Sequence, residues 1–321
     1  PRFNPLDPDV ETSTVIENTD EEIRDSVLNV VRDVTTRKSL NFTNVRKLKS
    51  TKSKKSHFYD VSNLTATYAF TETQRKNFNL VRDLTKTHHG NLTYTFSPSA
   101  KPIEPFKKSI KSKKLKLIKD FNFYTKPKQI GFSTDIDRFY NERVTRNTNP
   151  GIRADIPAFY NKTFRWTRKY DFKYDITKSL KFDFQAINIS LIDEPLGAVD
   201  KKRDPTGFDA WKTQVWNNIQ AGGDNVDYRH ISNLNYTVPI DKIPGLNWIG
   251  VTTKYGINYN WIRAPFAADS LGATIQNSNT IQVNGNFNFK NLYNNVPYLK
   301  KVNKKFKKAE ADKRKKKAGK G

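Results

Sequence analysis

From Leu64 onward the chain is dominated by a period of two. Leu64, Ala66, Tyr68 and Phe70 alternate with threonines and Ala69, and Leu92, Tyr94 and Phe96 repeat the pattern. Phe121 and Phe123 stand before a turn at Lys126-Pro127-Lys128, with Ile130, Phe132 and Ile136 beyond it. Phe164, Trp166, Tyr170, Phe172, Tyr174 and Ile176 share one side up to Thr177-Lys178-Ser179, after which Leu180, Phe182, Phe184 and Ala186 resume it. Leu234 to Ile240, Val251 to Trp261 and Ile281 to Phe289 complete the series, with Asn, Thr and Lys prominent between the apolar positions. Alternation of this kind places successive side chains on opposite faces of a strand. About nine strands joined in hairpins are expected, so the predicted fold class is all-β and antiparallel.

Two stretches break the period. Ile23, Val27, Val30, Val31 and Val34 fall at helical spacing behind Asp20-Glu21-Glu22, an acidic first turn that suits the helix dipole. The segment 205–221 has Asp204 as a cap, Pro205 in its first turn and Gly222-Gly223 as a stop. Its stripe of Phe208, Trp211, Val215 and Ile219, with Trp216 beside it, either packs on the neighbouring sheet or offers a docking face to a partner. The chain then divides into a polar, partly helical segment and basic linker at 1–55, strands over 56–299 with a loop-helix insertion at 191–230, and a tail at 300–321.

Charge changes the picture by being uneven. The 57 basic and 32 acidic residues leave a formal +25. Arg46 to Lys55 holds six basic residues and no acidic one, Lys101 to Lys119 eight lysines against Glu104, and Lys300 to Gly321 twelve basic residues against Glu310 and Asp312. These three stretches carry nearly all of the excess, and the tail reads as disordered or as a partner-binding arm. A nucleic-acid binder would interleave basic and aromatic residues on a folded face. These runs are nearly free of aromatics, so nucleic acid is not an expected partner.

Catalytic chemistry finds no foothold. The absence of cysteine excludes disulfides, Cys-ligated zinc, iron–sulfur clusters and a cysteine nucleophile. His57, His88, His89 and His230 have no metal-ligand spacing. Asp135 and Asp137 share a face, as do Asp171, Lys173 and Asp175, and the latter read as a mixed polar ladder. No Gly-rich phosphate loop is present. The expectation is a protein that is not an enzyme and holds no cofactor or metal.

Apolar residues make up 36 % and mean hydropathy is −0.78, and no run approaches the roughly 18 apolar residues of a membrane helix. A membrane could be crossed only by strands. The polar side, with Asp171, Lys173, Asp175, Lys181 and Asp183, suits a water-filled interior, and the other side is rich in Phe, Tyr and Trp. Tyr68, Trp166, Tyr174, Trp248, Tyr259 and Trp261 are the candidate membrane-interface aromatics. The short turn at 177–179 against the long insertion at 191–230 matches the short periplasmic turns and long external loops of outer-membrane barrels. By that parity, loops 98–115 and 191–230 share the outer side and Lys300 to Gly321 is periplasmic. Arg138 and Arg168 sit on the apolar side, where a midplane charge costs roughly 2–4 kcal/mol. They are expected near an interface, above the membrane or at a bulge.

Several blocks are more specific. PIDKIPGLNWIGVTTKYGINYNW at 239–261, ATIQNSNTIQVNGNFNFKNLYNNVPYLKKVN at 273–303, KPIEPF at 101–106, LKLIKDFNF at 115–123, SLNFTNVRK at 39–47 and HHGNLTYTFSP at 88–98 resemble the SprA (Sov) family. These are the giant outer-membrane channels of the type IX secretion system in the Bacteroidota. The resemblance implies an antiparallel transmembrane β-barrel segment, about nine strands forming an arc of a barrel of the largest class, with one or two short helices in loops. It further implies a channel in the bacterial outer membrane that passes folded cargo proteins, gliding adhesins among them, to the cell surface. The partners it implies are secreted cargo, a PorV-type outer-membrane barrel, a periplasmic plug protein, a peptidyl-prolyl isomerase and the lipid bilayer. Two other readings stand beside it: a smaller stand-alone outer-membrane barrel serving as receptor or assembly factor, and a soluble β-protein whose basic tail contacts an anionic polymer.

Overall fold

The computed structural model describes residues 3–5, 7–48, 57–112, 115–148 and 154–318. Nine strands form one antiparallel sheet: β3 (Val34–Arg46), β4 (Leu64–Lys76), β5 (Leu80–Phe96), β6 (Gln129–Thr145), β7 (Phe159–Asp175), β8 (Leu180–Leu191), β9 (Asp224–Val238), β10 (Ile249–Ile262) and β11 (Thr274–Phe287). Each pairs with its neighbours in sequence, so the sheet is a meander running without crossover from β3 to β11. It is open, and β3 and β11 are its edges. Ahead of it lie a small pair, β1 (Phe3–Asn4) and β2 (Asp7–Glu11), and helices α1 (Thr12–Glu17) and α2 (Glu21–Val31). Among the described residues the remaining α-helices are α3 (Lys116–Lys119), α4 (Pro205–Gln220), α5 (Phe289–Asn295) and α6 (Pro297–Ala318).

Eight of the expected strands are present, and the ninth is not where the pattern puts it. Phe121 and Phe123 form no strand; Phe123 makes an isolated bridge to Ile103. The ninth strand is β3. Val34, claimed by the helical spacing, is its first residue, because α2 stops at Val31 and Arg32 turns extended. Segment 1–55 therefore already contains a strand of the sheet. The tail, read as disordered or as a partner-binding arm, is helical over Pro297–Ala318; its Lys, Ala and Glu are good helix formers. Of the basic run Arg46 to Lys55, residues 49–55 lie outside the described residues.

Removing the false strand at 121–123 moves a loop. Connections 77–79, 146–158, 192–223 and 263–273 leave one end of the sheet, which we call the α4 end. Connections 47–63, 97–128, 176–179 and 239–248, and the chain after β11, leave the other. Loop 97–128 thus lies opposite the α4 insertion, not beside it as parity suggested. The two shortest turns, 77–79 and 176–179, are also at opposite ends, so turn length does not divide the sheet into a short-loop side and a long-loop side.

Candidate functional site

The register joins the alternating residues into two continuous faces. On one face run Ser39, Thr71, Thr87 and then, strand by strand, Asp135, Thr167 and Lys169, Gln185, Asn233, Lys254 and Gln282. This face is knitted by polar contacts: Lys169 to Asp135 at 3.1 Å, His89 to Asp137 at 2.7 Å, Asn91 to Asp135 at 2.6 Å and Asn235 to Asp183 at 3.2 Å. Shallow hollows of about 310 to 480 Å³ run along it. The paired carboxylates Asp135 and Asp137 are both committed to these neighbours and frame no cleft. His88 and His89 point to opposite faces, and among the described residues no three His, Asp or Glu converge on a metal position.

The opposite face carries a slanted apolar band. Its limit toward the α4 end is a row of polar residues. Lys38, Glu72 and Lys86 stand level on β3, β4 and β5. Arg138 on β6 is two residues closer to the other end, Arg168 and Asn188 on β7 and β8 four residues closer again, and His230 on β9 and Asn279 on β11 a further two each. On β10 the face stays aromatic, with Tyr259 and Trp261. From this row toward the opposite end the face is Leu, Ile, Val, Phe and Tyr, broken only by small or hydrogen-bonded residues such as His88, Thr134, Ser232 and Thr253. The band's far limit shifts likewise, from Val45 on β3 to Phe287 on β11. A drift of about ten residues over eight strand steps, at about 3.3 Å per residue and 4.8 Å per strand, is a slant of roughly 40°. The band's height square to its borders is roughly 20 Å.

The slant has a hand. The bonds Arg263 N–H to Val226 O, Ile192 N–H to Phe164 O and Asn288 N–H to Trp248 O fix which side of each strand faces which neighbour. For L-residues, these put β11 at the left and β3 at the right when the apolar face is viewed with the α4 end up. Levelling the band then leans every strand up to the right, the lean that right-handed strand twist gives a barrel wall seen from outside.

Above the band the same face is covered by its own insertion. Asp204 caps α4 by accepting the Gly207 N–H at 2.9 Å, and Gly222 and Gly223, with φ of 89° and 70°, end it. Val215 of α4 packs with Phe164 and Ile192, and Trp211, Ile219, Ile136 and Trp166 surround them. Phe208 lies against Trp211, their tilted rings 5.4 Å apart between centroids. Of the two readings of the stripe, Trp211, Val215 and Ile219 follow the first and pack on the sheet, while Trp216 points outward, 59 % exposed. The insertion also explains the two arginines. Arg138 makes two bonds to Glu194 at 2.6 and 2.7 Å and lies 5.0 Å over Trp211. Arg168 donates to Asn188, Ser190, the Gly222 carbonyl and Asn225. Both sit at the band's border beneath the insertion, not in the band. Glu194 and the Glu142–Arg203 pair were invisible to periodicity, because their partners are 56 and 61 residues apart in sequence.

The aromatic candidates spread over the band. Trp166 is at the α4-end border, donating to Thr134 Oγ1 at 2.5 Å, with Arg168 4.5 Å over its ring. Tyr259, stacked on His230 at 5.1 Å, and Trp261 are near the same border. Tyr174, whose hydroxyl donates to the Tyr124 carbonyl at 2.7 Å, and Trp248, against Phe287 and Phe289, mark the opposite border. Tyr68 lies inside the band, donating to or accepting from His88 Nδ1 at 3.0 Å. Compared with protein-family models and with curated proteins, the chain matches none.

Proposed function

We propose that this chain is an arc of the wall of a large outer-membrane β-barrel that conducts folded proteins, the channel of a type IX secretion system to which its sequence blocks are similar. The observation that carries the membrane part is the slanted band. A soluble sheet also carries an oblique apolar band where a second layer crosses it, but there the band is buried, whereas here Leu40, Phe42, Ile281 and Val283 are about half exposed or more. A barrel wall must carry a slanted band, because strands tilt by about 35–45° while the bilayer stays level. The slant of roughly 40° and its hand agree with that only if the apolar face is outside. The height of roughly 20 Å falls slightly short of the about 25 Å usual for such bands, and Tyr174, Trp248, Tyr259 and Trp261 supply girdles at its margins.

The polar face then lines the conduit. Asn, Thr and charge-paired side chains keep most of it hydrated, with Ile187 and Ile231 as exposed apolar side chains among them. Width is what such a passenger needs, and barrel diameter grows with strand number. The unpaired edges favour an arc over a small closed barrel. In this reading cargo passes the polar face, and the PorV-type barrel, plug protein and peptidyl-prolyl isomerase belong to the same assembly.

The cysteine-free chain makes the test direct. Single cysteines at Phe172, Phe184 and Leu234, labelled with a polarity-sensitive dye, should report an apolar surround in bilayers, while those at Lys173, Asp183 and Asn235 should report water. Water on both faces, or full solubility without detergent, sinks the membrane reading. Export is tested separately: cells deprived of this protein should retain folded cargo in the periplasm, and undiminished secretion refutes the channel assignment.

A further inference from the structure

We propose that the end of the sheet opposite α4 holds a phosphate-bearing lipid, its acyl chain in a groove under loop 97–128 and its headgroup over Lys116 and Lys119; this rests on the membrane reading above. Three observations converge. First, the strands bordering all three basic stretches end on this side, a juxtaposition that charge counting along the chain does not reveal: Arg46 closes β3, loop 97–128 joins β5 to β6, and α6 follows β11. Second, a groove of about 680 Å³ lies between that loop and the apolar face, with Leu117 and Phe121 on one wall and Leu180, Leu234, Tyr236 and Tyr255 on the other. That volume is in the range of small-ligand sites, and the groove opens where the apolar band ends. Third, the loop wall alternates lysine with bare apolar side chains: Leu115, Leu117, Ile118 and Phe121 are all close to half exposed beside Lys116 and Lys119. Such a segment fits a bilayer interface, with chains below and anionic headgroups alongside.

The cations are available. Among the described residues, Lys107 and Lys178 are engaged by Glu104 and Lys242 by Asp120 at 3.7 Å, whereas Lys116 and Lys119 have no carboxylate partner. A lysine near a membrane surface contributes enough that two of them should matter roughly tenfold or more.

The test is native mass spectrometry of the protein released from nanodiscs containing equal phosphatidylglycerol and phosphatidylcholine. Phosphatidylglycerol should be retained roughly tenfold over phosphatidylcholine, and the double variant Lys116→Gln/Lys119→Gln, at surface positions, should abolish the preference. Equal retention of the two lipids, an unchanged preference in the variant, or displacement of phosphatidylglycerol by inorganic phosphate overturns the proposal. Failure to enter nanodiscs at all would instead strike the membrane reading.

Discussion

At the scale of single residues, the insertion over the sheet rests on a few positions that tolerate little change. Gly223 has a positive φ, and a Cβ there would meet Ile192 Cδ1 at 2.8 Å and the Leu191 carbonyl at 2.9 Å. Gly223→Val should cost about 1–3 kcal/mol, read as an earlier urea midpoint of tryptophan fluorescence in detergent; an unchanged midpoint would show that the turn relaxes freely. Glu194 is the second such position. Its side chain is 2 % exposed against 12 % for Arg138, so Glu194→Gln leaves a guanidinium nearly buried without its counter-charge. A loss of about 3 kcal/mol is expected. Adding Arg138→Met to that variant should recover much of it, which a purely steric role for Glu194 would not allow. Alternation exposed the problem of charges on an apolar face but not its solution, since the partner sits in a different element.

At the scale of elements, loop 97–128 is fastened to the 176–179 turn by Glu104, which accepts from Lys107 and Lys178. Those two bonds hold its carboxyl down from 4.5 to about 2. A depressed carboxyl stabilises the tether above its ordinary pKa and loses that contribution as pH falls toward the depressed value. The fastening should be intact at pH 6 and loosen between about 4.5 and 2, seen as lower amide protection factors over 101–110 (rates referred to the intrinsic exchange rate at each pH) while those of β7 are unchanged; Glu104→Gln should show the lowered protection already at pH 6. A loop equally protected throughout would show that the isolated bridge from Ile103 to Phe123 and the Asn122 side chain, which accepts the Lys178 N–H at 2.7 Å, suffice. The same loop misled the strand count. Phe121 and Phe123 alternate as strand residues do, yet Asn122 turns inward to serve the neighbouring turn, and one miscounted strand reversed the end to which the loop belongs. β3 was missed for the converse reason: as an edge strand with Thr36 and Lys38 on the band face, it alternates only over Leu40 and Phe42.

At the scale of the whole molecule, the open edges are the outstanding feature. β3 presents Leu40, Phe42 and Val45, and β11 presents Ile281, Val283 and Phe287, all about half exposed or more. Unpaired backbone beside such side chains has no place in lipid, where every N–H and C=O must find a partner. The arc proposed above therefore requires that, in an assembled membrane complex, the amides of both β3 and β11 exchange as slowly as those of β7. Fast exchange along either would mark a true end of the wall and contradict the arc.

The sequence by itself determined the class of fold, eight of the nine sheet strands, the capped and glycine-stopped helix α4 and the two chemically distinct faces. All of these follow from local periodicity and from backbone preferences acting over a few residues. Only the tertiary structure decided which loops share an end, which carboxylate answers Arg138, where the α4 stripe is spent, and that the apolar positions form a band slanted across the strands. Those depend on register, and register couples residues tens of positions apart that no local pattern relates.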